Sequence, residues 1–264
     1  MNQVSVIIPT WNRAGTIRRA VESALNQTVP VWEVLVCDDG STDHTAQIIQ
    51  EINDPRVHFI QGERAGRPAV PRNKGISEAR GDWFAFLDSD DEWLPSKNEK
   101  QLKAALALNC KAACSNAFRV TPAEGNQGPY FKQKLPEKIR FAQELHTNFV
   151  ICSSALIHRS VFERAKGFPE EPELKAIEDY ALWLRVAALT DFAYLHEPLL
   201  NYLDDAGNSV RAEDNNEWLQ RQHVLSDLYN WCRDSQKELM PGLKKAYRKA
   251  MKMNGTGFFK RLFP

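Results

Sequence analysis

Short apolar runs alternate with helical patterns through the first half of this chain, and this alternation constrains the fold more than any other feature. Apolar runs at 4–8 and 32–37 predict strands, and the segments at 16–26 and about 42–52 predict helices. A βαβα order of this kind predicts a parallel sheet covered by helices. Ligands of such sheets bind at the carboxyl ends of the strands, so the residues that follow each run are the first candidates for a site.

The pattern continues toward the C-terminus with one long polar interruption. The remaining predictions are strands at 57–61, 83–87 and 112–120, helices at 71–79, about 97–108 and 178–188, a mostly extended stretch at 192–202, and a helical tail from Asn216 onward. Residues 121–136, rich in Pro, Gly, Gln and Lys, predict a loop or lid. The predicted fold class is α/β, with a mostly parallel central sheet flanked by helices and a helical C-terminal extension.

Length, charge and cysteine content restrict the function classes. With 264 residues, the chain can form one large domain and a C-terminal appendage. Lys and Arg together number 34, as do Asp and Glu, so we expect no nucleic-acid partner and only local attraction to anionic surfaces. The five scattered cysteines favour reduced thiols in a cytoplasmic protein. The sequence predicts neither a signal peptide nor a membrane span.

An acidic cluster, Asp88-Ser89-Asp90-Asp91, directly follows the predicted strand at 83–87. Carboxylates this close repel one another unless a cation is bound, and Mg²⁺ or Mn²⁺ commonly bridges one or two carboxylates to substrate phosphates. The alternative is an acidic turn whose side chains bond backbone amides before the next helix. The residues alone leave metal binding and a structural turn as equal interpretations.

A second acidic turn, Asp38-Asp39-Gly40-Ser41, follows the run at 32–37. Gly40 permits a tight turn, and Ser41 can cap the next helix, so both have structural explanations. Two carboxylates at the end of a buried strand are harder to explain in this way, because an unpaired buried carboxylate is unfavourable.

Charged residues stand near the start of two predicted helices. Arg72 and Lys74 place cations where they oppose the helix dipole, which either an anionic ligand or a salt bridge to the nearby Asp cluster would explain. Glu178 and Asp179 open the helix at 178–188. Helix capping is the default interpretation of these two acids, and a general base is the more specific one.

Taken together, five motifs resemble glycosyltransferase family 2 in order and spacing. They are SVIIPTWNR from Ser5, VCDDGSTD from Val36, RNKG from Arg72, FLDSDD from Phe86 and EDYALWLR from Glu178. The resemblance implies a GT-A fold with a Rossmann-like sheet, a nucleoside-diphosphate-sugar donor such as a UDP-sugar, a divalent cation, Mn²⁺ or Mg²⁺, and inversion at the anomeric carbon. It places a catalytic domain at 1–211, with a nucleotide-sugar-binding half at about 1–95 and an acceptor-binding half at about 96–211, before a helical basic extension at 212–264.

Carried over by position, the resemblance assigns roles to single residues. Asp90 is the principal metal ligand, Asp179 is the general base, and Glu178 orients that base or contacts the acceptor. The other assignments are Pro9 and Thr10 lining the nucleotide pocket, Asp39 accepting a hydrogen bond from the nucleobase, Arg72 reaching the nucleotide, Asp88 lying near the ribose or the metal, and Asp91 supporting its loop. These roles suit a single displacement, in which a carboxylate takes the acceptor proton while a metal stabilises the leaving diphosphate.

The match weakens toward the end of the catalytic region. Relatives often carry Tyr-Arg and a downstream His, whereas this chain has Leu203 in place of Arg and no His directly before Asn208. The resemblance therefore supplies no phosphate contact from that loop, and Arg211 is the candidate substitute. For His196, just before this region, contact with the metal or diphosphate and a structural role are both open.

The C-terminal tail carries cations and aromatic side chains without any acidic residue after Pro241. Its charged and apolar members are Lys244, Lys245, Arg248, Lys249, Lys252, Lys260 and Arg261, and Phe258, Phe259, Leu262 and Phe263. Peripheral contact with an anionic membrane surface is one interpretation, and a solvated basic helix that packs on its own domain is the other. Membrane contact suits a lipid-linked glycan acceptor of bacterial surface-polysaccharide assembly, which many relatives use.

Two rival functions share parts of this pattern. A sugar nucleotidyltransferase also uses an α/β sheet with acidic metal ligands, but the turn at 9–15 lacks the Gly-rich phosphate loop expected of that class. A non-catalytic nucleotide-sugar binding module would tolerate the loss of Asp90 or Asp179, and both are present.

Overall fold

The computed structural model describes residues 2–205, 217–242 and 244–245. The strands are β1 (Val4–Thr10), β2 (Glu33–Asp38), β3 (Val57–Gln61), β4 (Trp83–Phe86), β5 (Glu92–Trp93), β6 (Ala112–Thr121), β7 (Gly125–Pro129), β8 (Lys138–Ile139), β9 (Leu156–His158) and β10 (Phe192–Leu203). The helices are α1 (Ile17–Leu25), α2 (Thr45–Ile52), α3 (Ala69–Glu78), α4 (Lys97–Ala107), α5 (Phe141–Glu144), α6 (Arg159–Ala165), α7 (Glu178–Leu189) and α8 (Glu217–Ser235). Short 3₁₀ turns lie at Cys152–Ser154, Pro172–Leu174 and Lys237–Leu239.

The strands form one sheet in the order β3-β2-β1-β4-β9-β6-β10-β5, with β7 beside β6 and β8 beside β10. The first four strands are mutually parallel. The short strand β9 is antiparallel to both β4 and β6, and β10 is parallel to β6. Six strands, β1 to β4 together with β6 and β10, therefore run in one direction, which confirms the predicted mostly parallel α/β architecture.

The sheet separates two apolar clusters, because successive side chains of a strand point to opposite faces. Val6 and Ile8 of β1 belong to the cluster that packs against α1, whereas Ile7 belongs to the cluster that includes α3, α6 and α7. Helix α3 approaches β2 closely, since a Cβ added at Gly75 would lie 2.2 Å from the Cys37 sulfur. The glycine of the RNKG motif thus has a packing role.

The polar stretch at 121–136 forms more regular structure than a loop or lid. Its first part is a hairpin in which β7 pairs with the end of β6. The residues of β7 are Gly-Asn-Gln-Gly-Pro and are mostly exposed, so the strand carries no alternating apolar pattern from which it could be predicted. The prediction of a loop or lid was therefore wrong for residues 125–129.

The first part of the C-terminal segment packs against α7. Side chains of α8, including Val224, Leu228 and Trp231, share a buried cluster with Ala181 and Leu184 of α7. Of the basic and aromatic tail residues, only Lys244 and Lys245 are among the described residues, and Arg211 also lies outside them. Within the described ranges, no helix combines the length and apolar character needed to cross a bilayer.

Candidate active site

A cavity of about 570 Å³ opens where the carboxyl ends of several strands meet. Because β1, β2, β4 and β10 run in the same direction, the residues that follow them reach the same edge of the sheet. Pro9 to Arg13 follow or end β1, Asp39 follows β2, Asp88 to Asp90 follow β4, and Tyr202 to Asp205 end or follow β10. The start of α7 closes the cavity with Glu178 and Asp179.

Eight candidate site residues line this cavity: Pro9, Thr10, Asp39, Arg72, Asp88, Asp90, Glu178 and Asp179. Two other candidates among the described residues do not. Asp91 lies behind the lining, and His196 is exposed on β10, where its ring centroid is 6.4 Å from that of Tyr194. Contact of His196 with a metal or diphosphate in the cavity therefore has no support in this structure.

The two aspartates at the turn after β2, Asp38 and Asp39, have different roles. Asp38 is buried and accepts hydrogen bonds from the backbone N–H groups of Gly40 and Ser41 and from the Ser41 hydroxyl. This aspartate stabilises the turn. Asp39 instead faces the cavity, although it is only 4% exposed.

Asp39 is held by a segment that follows β3. The backbone N–H groups of Ala65 and Gly66 donate to its carboxylate at 2.7 and 3.0 Å, and the Arg64 guanidinium pairs with it directly. The same guanidinium lies 3.7 Å from the centroid of the Trp11 ring. Sequence reasoning assigned no role to Arg64 or Trp11. Trp11 stands within the SVIIPTWNR motif, whereas the only signal for Arg64 was its position beyond the end of β3.

The loop after β4 presents the carboxylates of Asp88 and Asp90 to the cavity. Asp90 is half-buried, and its carboxylate lies 3.5 Å from the Arg13 guanidinium, while its backbone carbonyl accepts a hydrogen bond from the Arg19 guanidinium. Burial and the neighbouring Asp88 carboxylate raise the pKa of Asp90. A site whose carboxylates repel one another in this way favours a bound cation.

A divalent cation fits this loop only if the substrate also supplies ligands. Among the described residues, no group of three or more His, Cys, Asp or Glu side chains is arranged to hold a metal ion. Asp88 and Asp90 offer hard carboxylate oxygens to the cavity. Mg²⁺ is usually bound by one or two carboxylates together with substrate phosphates and water, so this donor set suits a metal shared with a diphosphate.

Asp91 connects the loop after β4 to the end of β10. Its side chain is buried and accepts a hydrogen bond from the Leu203 N–H at 2.8 Å. Burial and the adjacent carboxylates raise its pKa well above the usual range. This hydrogen bond fixes the strand end that contributes Tyr202 to the cavity.

Arg72 joins the two halves of the cavity wall. Its guanidinium donates to Asp88 Oδ1 and to Glu178 Oε1, both at 2.7 Å, and it lies 5.2 Å from the Phe168 ring centroid. The side chain is 5% exposed. Of the two explanations for a cation at the start of α3, the structure shows the salt bridge, and Lys74 donates to the Gln61 carbonyl instead.

The start of α7 places two acids in different surroundings. Glu178 is buried against Arg72, and burial raises its pKa although the guanidinium opposes the shift. Asp179 is half-buried in the cavity wall and accepts the Tyr180 N–H at 2.7 Å. Just before the helix, Ala176 has a φ of 67°, an uncommon conformation for a residue with a Cβ atom. The backbone there turns sharply to direct both acids toward the cavity.

The sequence profile of "Glycosyl transferase family 2" matches residues 5–165. The chain is 33% identical over 202 residues to TuaG of Bacillus subtilis, which is named for teichuronic acid biosynthesis; the match covers 75% of this chain and 78% of that protein. It is 31% identical over 228 residues to the Escherichia coli UDP-Glc:alpha-D-GlcNAc-diphosphoundecaprenol beta-1,3-glucosyltransferase WfaP, covering 86% of this chain and 87% of WfaP.

Solved structures show the same architecture. The crystal structure of S. aureus TarS 1-349 in complex with UDP-GlcNAc superposes with a TM-score of 0.72 at 20% sequence identity, covering 90% of this chain and 69% of that one. At this identity the similarity concerns the fold, and it confirms the GT-A architecture expected from the motifs.

Proposed function

The chain belongs to glycosyltransferase family 2 and is a glycosyltransferase, and on this premise we propose that it is an inverting enzyme that transfers a sugar from a UDP-sugar to a hydroxyl of a lipid-linked glycan. The observation that carries the proposal is the convergence of Asp90 and Asp179, from distant parts of the chain, on one cavity. One carboxylate suits a metal ligand and the other a general base.

The donor assignment rests on the relatives and on the part of the cavity near β1 and β2. WfaP is named for UDP-Glc, so a uridine nucleotide is the first donor class to test. Trp11, Asp39 and Arg64 lie together at this end of the cavity. An aromatic ring can stack on a nucleobase, and a carboxylate beside it can accept a hydrogen bond from an N–H group of the base.

The acceptor assignment also follows the relatives. WfaP is named for a GlcNAc-diphosphoundecaprenol acceptor, and TuaG is named for teichuronic acid biosynthesis. We assign this chain to the same general task, the extension of a glycan on a lipid diphosphate during surface-polysaccharide synthesis. We assign the acceptor contacts to the half of the chain from β6 onward.

The chemistry requires one proton acceptor and one displacement. The Asp179 carboxylate takes the proton of the acceptor hydroxyl, whose oxygen bonds to the anomeric carbon while the bond to the diphosphate oxygen breaks. Attack from the face opposite the diphosphate inverts the configuration. Glu178, fixed by Arg72, lies beside Asp179 and suits a role in orienting the acceptor.

Asp90, with Asp88 nearby, would hold Mn²⁺ or Mg²⁺, which supplies Lewis-acid stabilisation of the negative charge on a leaving diphosphate. Two arginines hold the loop that carries Asp90. Arg13 lies 3.5 Å from Asp90, and the Arg19 guanidinium donates to the Asp90 carbonyl at 2.9 Å, so the loop is held in position.

Peripheral attachment to an anionic membrane through the basic tail completes the proposal. It rests on the sequence, since most of the tail lies outside the described residues. Lys and Arg side chains near an anionic surface contribute about 1 kcal/mol each, and apolar side chains add to that attraction. Such attachment would bring the cavity near a lipid-linked acceptor.

The experiment that tests the proposal is a donor and acceptor screen. The full chain is mixed with UDP-sugars and Mn²⁺, with and without a GlcNAc α-diphosphate on a short lipid, and both nucleotide release and glycan mass are measured. We expect UDP release that depends on the acceptor, and a product heavier by one sugar residue. Release of pyrophosphate from a sugar 1-phosphate and a nucleoside triphosphate would instead identify a nucleotidyltransferase, and donor binding with neither transfer nor hydrolysis of the donor would favour a binding module.

A further inference from the structure

Two tyrosines extend the cavity onto the outer surface of the sheet. Tyr202, at the end of β10, lines the cavity. Its ring meets that of Tyr130 edge to face, with the centroids 5.6 Å apart and the planes at 87°. Tyr130 is 39% exposed and is one of few large apolar side chains on the surface of the described residues. An aromatic surface therefore runs from the cavity to the solvent.

Strand pairing places these two rings on the same face of the sheet. Tyr202 lies opposite Arg119 of β6 in the parallel register, and the Tyr130 N–H donates to the Ala117 carbonyl at 2.8 Å. Arg119 and Ala117 are two residues apart on one strand, so their side chains point to one face. The rings consequently flank the same stretch of β6.

A charged pair borders the aromatic rings. Arg119 Nε donates to Asp204 Oδ2 at 2.7 Å, and both side chains are partly exposed, at 50% and 33%. Asp204 also lines the cavity. We call Tyr130, Tyr202, Arg119 and Asp204 the Tyr130–Tyr202 surface. It combines aromatic faces with planar polar groups that can bind hydroxyls from the side.

A buried asparagine fixes this surface in place. The Asn116 side chain is fully buried, donates to the Phe131 carbonyl at 2.9 Å and accepts the Phe131 N–H at 3.0 Å. The Phe131 ring contacts both Tyr130 and Phe149. Because the backbone beside Tyr130 is held in this way, a ligand would not have to order it on binding.

We propose that the Tyr130–Tyr202 surface is a binding subsite for a pyranose ring of the acceptor glycan, an inference that rests on the proposed function. A pyranose presents C–H groups on its faces and hydroxyls around its edge. The negative face of an aromatic ring attracts the C–H groups, and the Asp204–Arg119 pair bonds the hydroxyls. Sugar-binding sites need this combination of stacking and a few placed polar groups.

The surroundings favour a sugar over the lipid portion of the acceptor. The neighbouring strand β7 is Gly-Asn-Gln-Gly-Pro and largely exposed, so it offers little apolar area. Covering the Arg119–Asp204 pair with a hydrocarbon chain would remove two charges from water without replacing their hydrogen bonds. A hydroxyl-rich ring keeps those groups bonded.

The test measures binding of methyl pyranosides of GlcNAc, glucose, galactose, mannose and rhamnose by saturation-transfer NMR, with UDP present throughout. We expect at least one glycoside to bind, and Tyr130→Ala to weaken its binding about threefold to tenfold. Tyr130→Phe retains the ring face and should bind as the wild type does. Trp32→Ala is the matched control, since Trp32 is 47% exposed and does not line the cavity.

The inference is overturned if none of these glycosides binds, or if Tyr130→Ala and Trp32→Ala behave alike. UDP release from a UDP-sugar, measured on the same preparations, shows whether the transferase activity is present when the glycosides do not bind. Failure of the subsite is thereby distinguished from failure of the proposed function. Sugar transfer with an unaffected acceptor KM in Tyr130→Ala would overturn the subsite and leave the transferase assignment intact. An acceptor KM raised in Tyr130→Ala, with the donor KM unchanged, supports both.

Discussion

The guanidinium of Arg72 donates to Glu178 Oε1 at 2.7 Å, although the two residues are 106 positions apart in the chain. Its other terminal nitrogen donates to Asp88 at the same distance. One buried side chain therefore connects the acidic loop after β4 to the helix that carries Asp179. The geometry of the acidic loop and of the proposed base depends on this contact.

Replacing Arg72 should destabilise the fold more than replacing a surface arginine. In Arg72→Met, Glu178 loses its partner while buried, which typically costs about 3–5 kcal/mol in the free energy of unfolding. The measurement is urea unfolding followed by tryptophan fluorescence. Adding Glu178→Gln to Arg72→Met should recover part of the loss, because the unpaired buried charge is removed.

Arg18→Met serves as the control for that prediction. Arg18 forms an exposed ion pair with Glu51, and the side chains are 42% and 50% exposed. Pairs of this kind contribute about 0–1 kcal/mol. Equal losses in the two methionine variants would contradict the structural role of the Arg72 bridge.

Removing the Arg64 side chain should strengthen nucleotide binding. Arg64 pairs with Asp39 and stacks on Trp11, so a nucleobase that uses the same two groups has to displace it. A conformation that blocks the site reduces the apparent affinity by the fraction of molecules that it occupies. Calorimetric titration of Arg64→Ala with UDP should show a Kd lower by about twofold to tenfold. A higher Kd would mean that Arg64 contacts the nucleotide directly.

Glu144 should make the protein less stable as the pH rises. This carboxyl is fully buried, and burial raises its pKa to about 8, above the ordinary value of 4.5. Between these two values the folded state holds a proton that the unfolded state has released, so the free energy of unfolding decreases with pH. The decrease attributable to one such group approaches about 1.4 kcal/mol per pH unit.

Comparing unfolding of the wild type with Glu144→Gln between pH 5 and pH 8 isolates this contribution. The neutral amide does not titrate, so the variant should gain stability relative to the wild type as the pH increases. Glu124→Gln, at an exposed position of the hairpin, should leave the pH dependence unchanged. A constant difference between Glu144→Gln and the wild type across this range would show that Glu144 ionises normally.

Neutralising the basic tail should weaken binding to anionic membranes. Lys260→Gln with Arg261→Gln removes two cations, and each contributes about 1 kcal/mol near an anionic surface, so binding should fall by at least tenfold. Sedimentation with vesicles of mixed anionic and zwitterionic lipids measures the effect, and vesicles of zwitterionic lipid alone are the control. Unchanged sedimentation would remove the tail from the proposal.

The sequence predicted the parts of the fold that have a local pattern. β1 is recognisable because it contains the apolar run at 4–8, and α7 because its motif and periodicity coincide. The hairpin strand β7 has no such pattern, since its residues are small, polar and exposed. Edge strands of this composition acquire their structure from the neighbouring strand, which local sequence does not reveal.

The candidate site also contains some residues that the sequence predicts and others that it does not. Asp90 and Asp179 stand out because acidic residues follow a buried strand or open a helix. The partners of Arg72 could not be identified, because two explanations for its charge were equally consistent with the residues. Arg64 carried no motif, and its contact with Asp39 depends on how the segment after β3 turns back over β2.

The most direct test of the central claim is the transfer rate of Asp179→Asn, measured alongside UDP binding. Loss of a general base typically lowers the rate by about 10²–10⁴-fold. We predict a loss of that size with an unchanged UDP affinity, and normal transfer in Asp191→Asn, a control near the other end of α7. Transfer by Asp179→Asn at the wild-type rate would contradict the account.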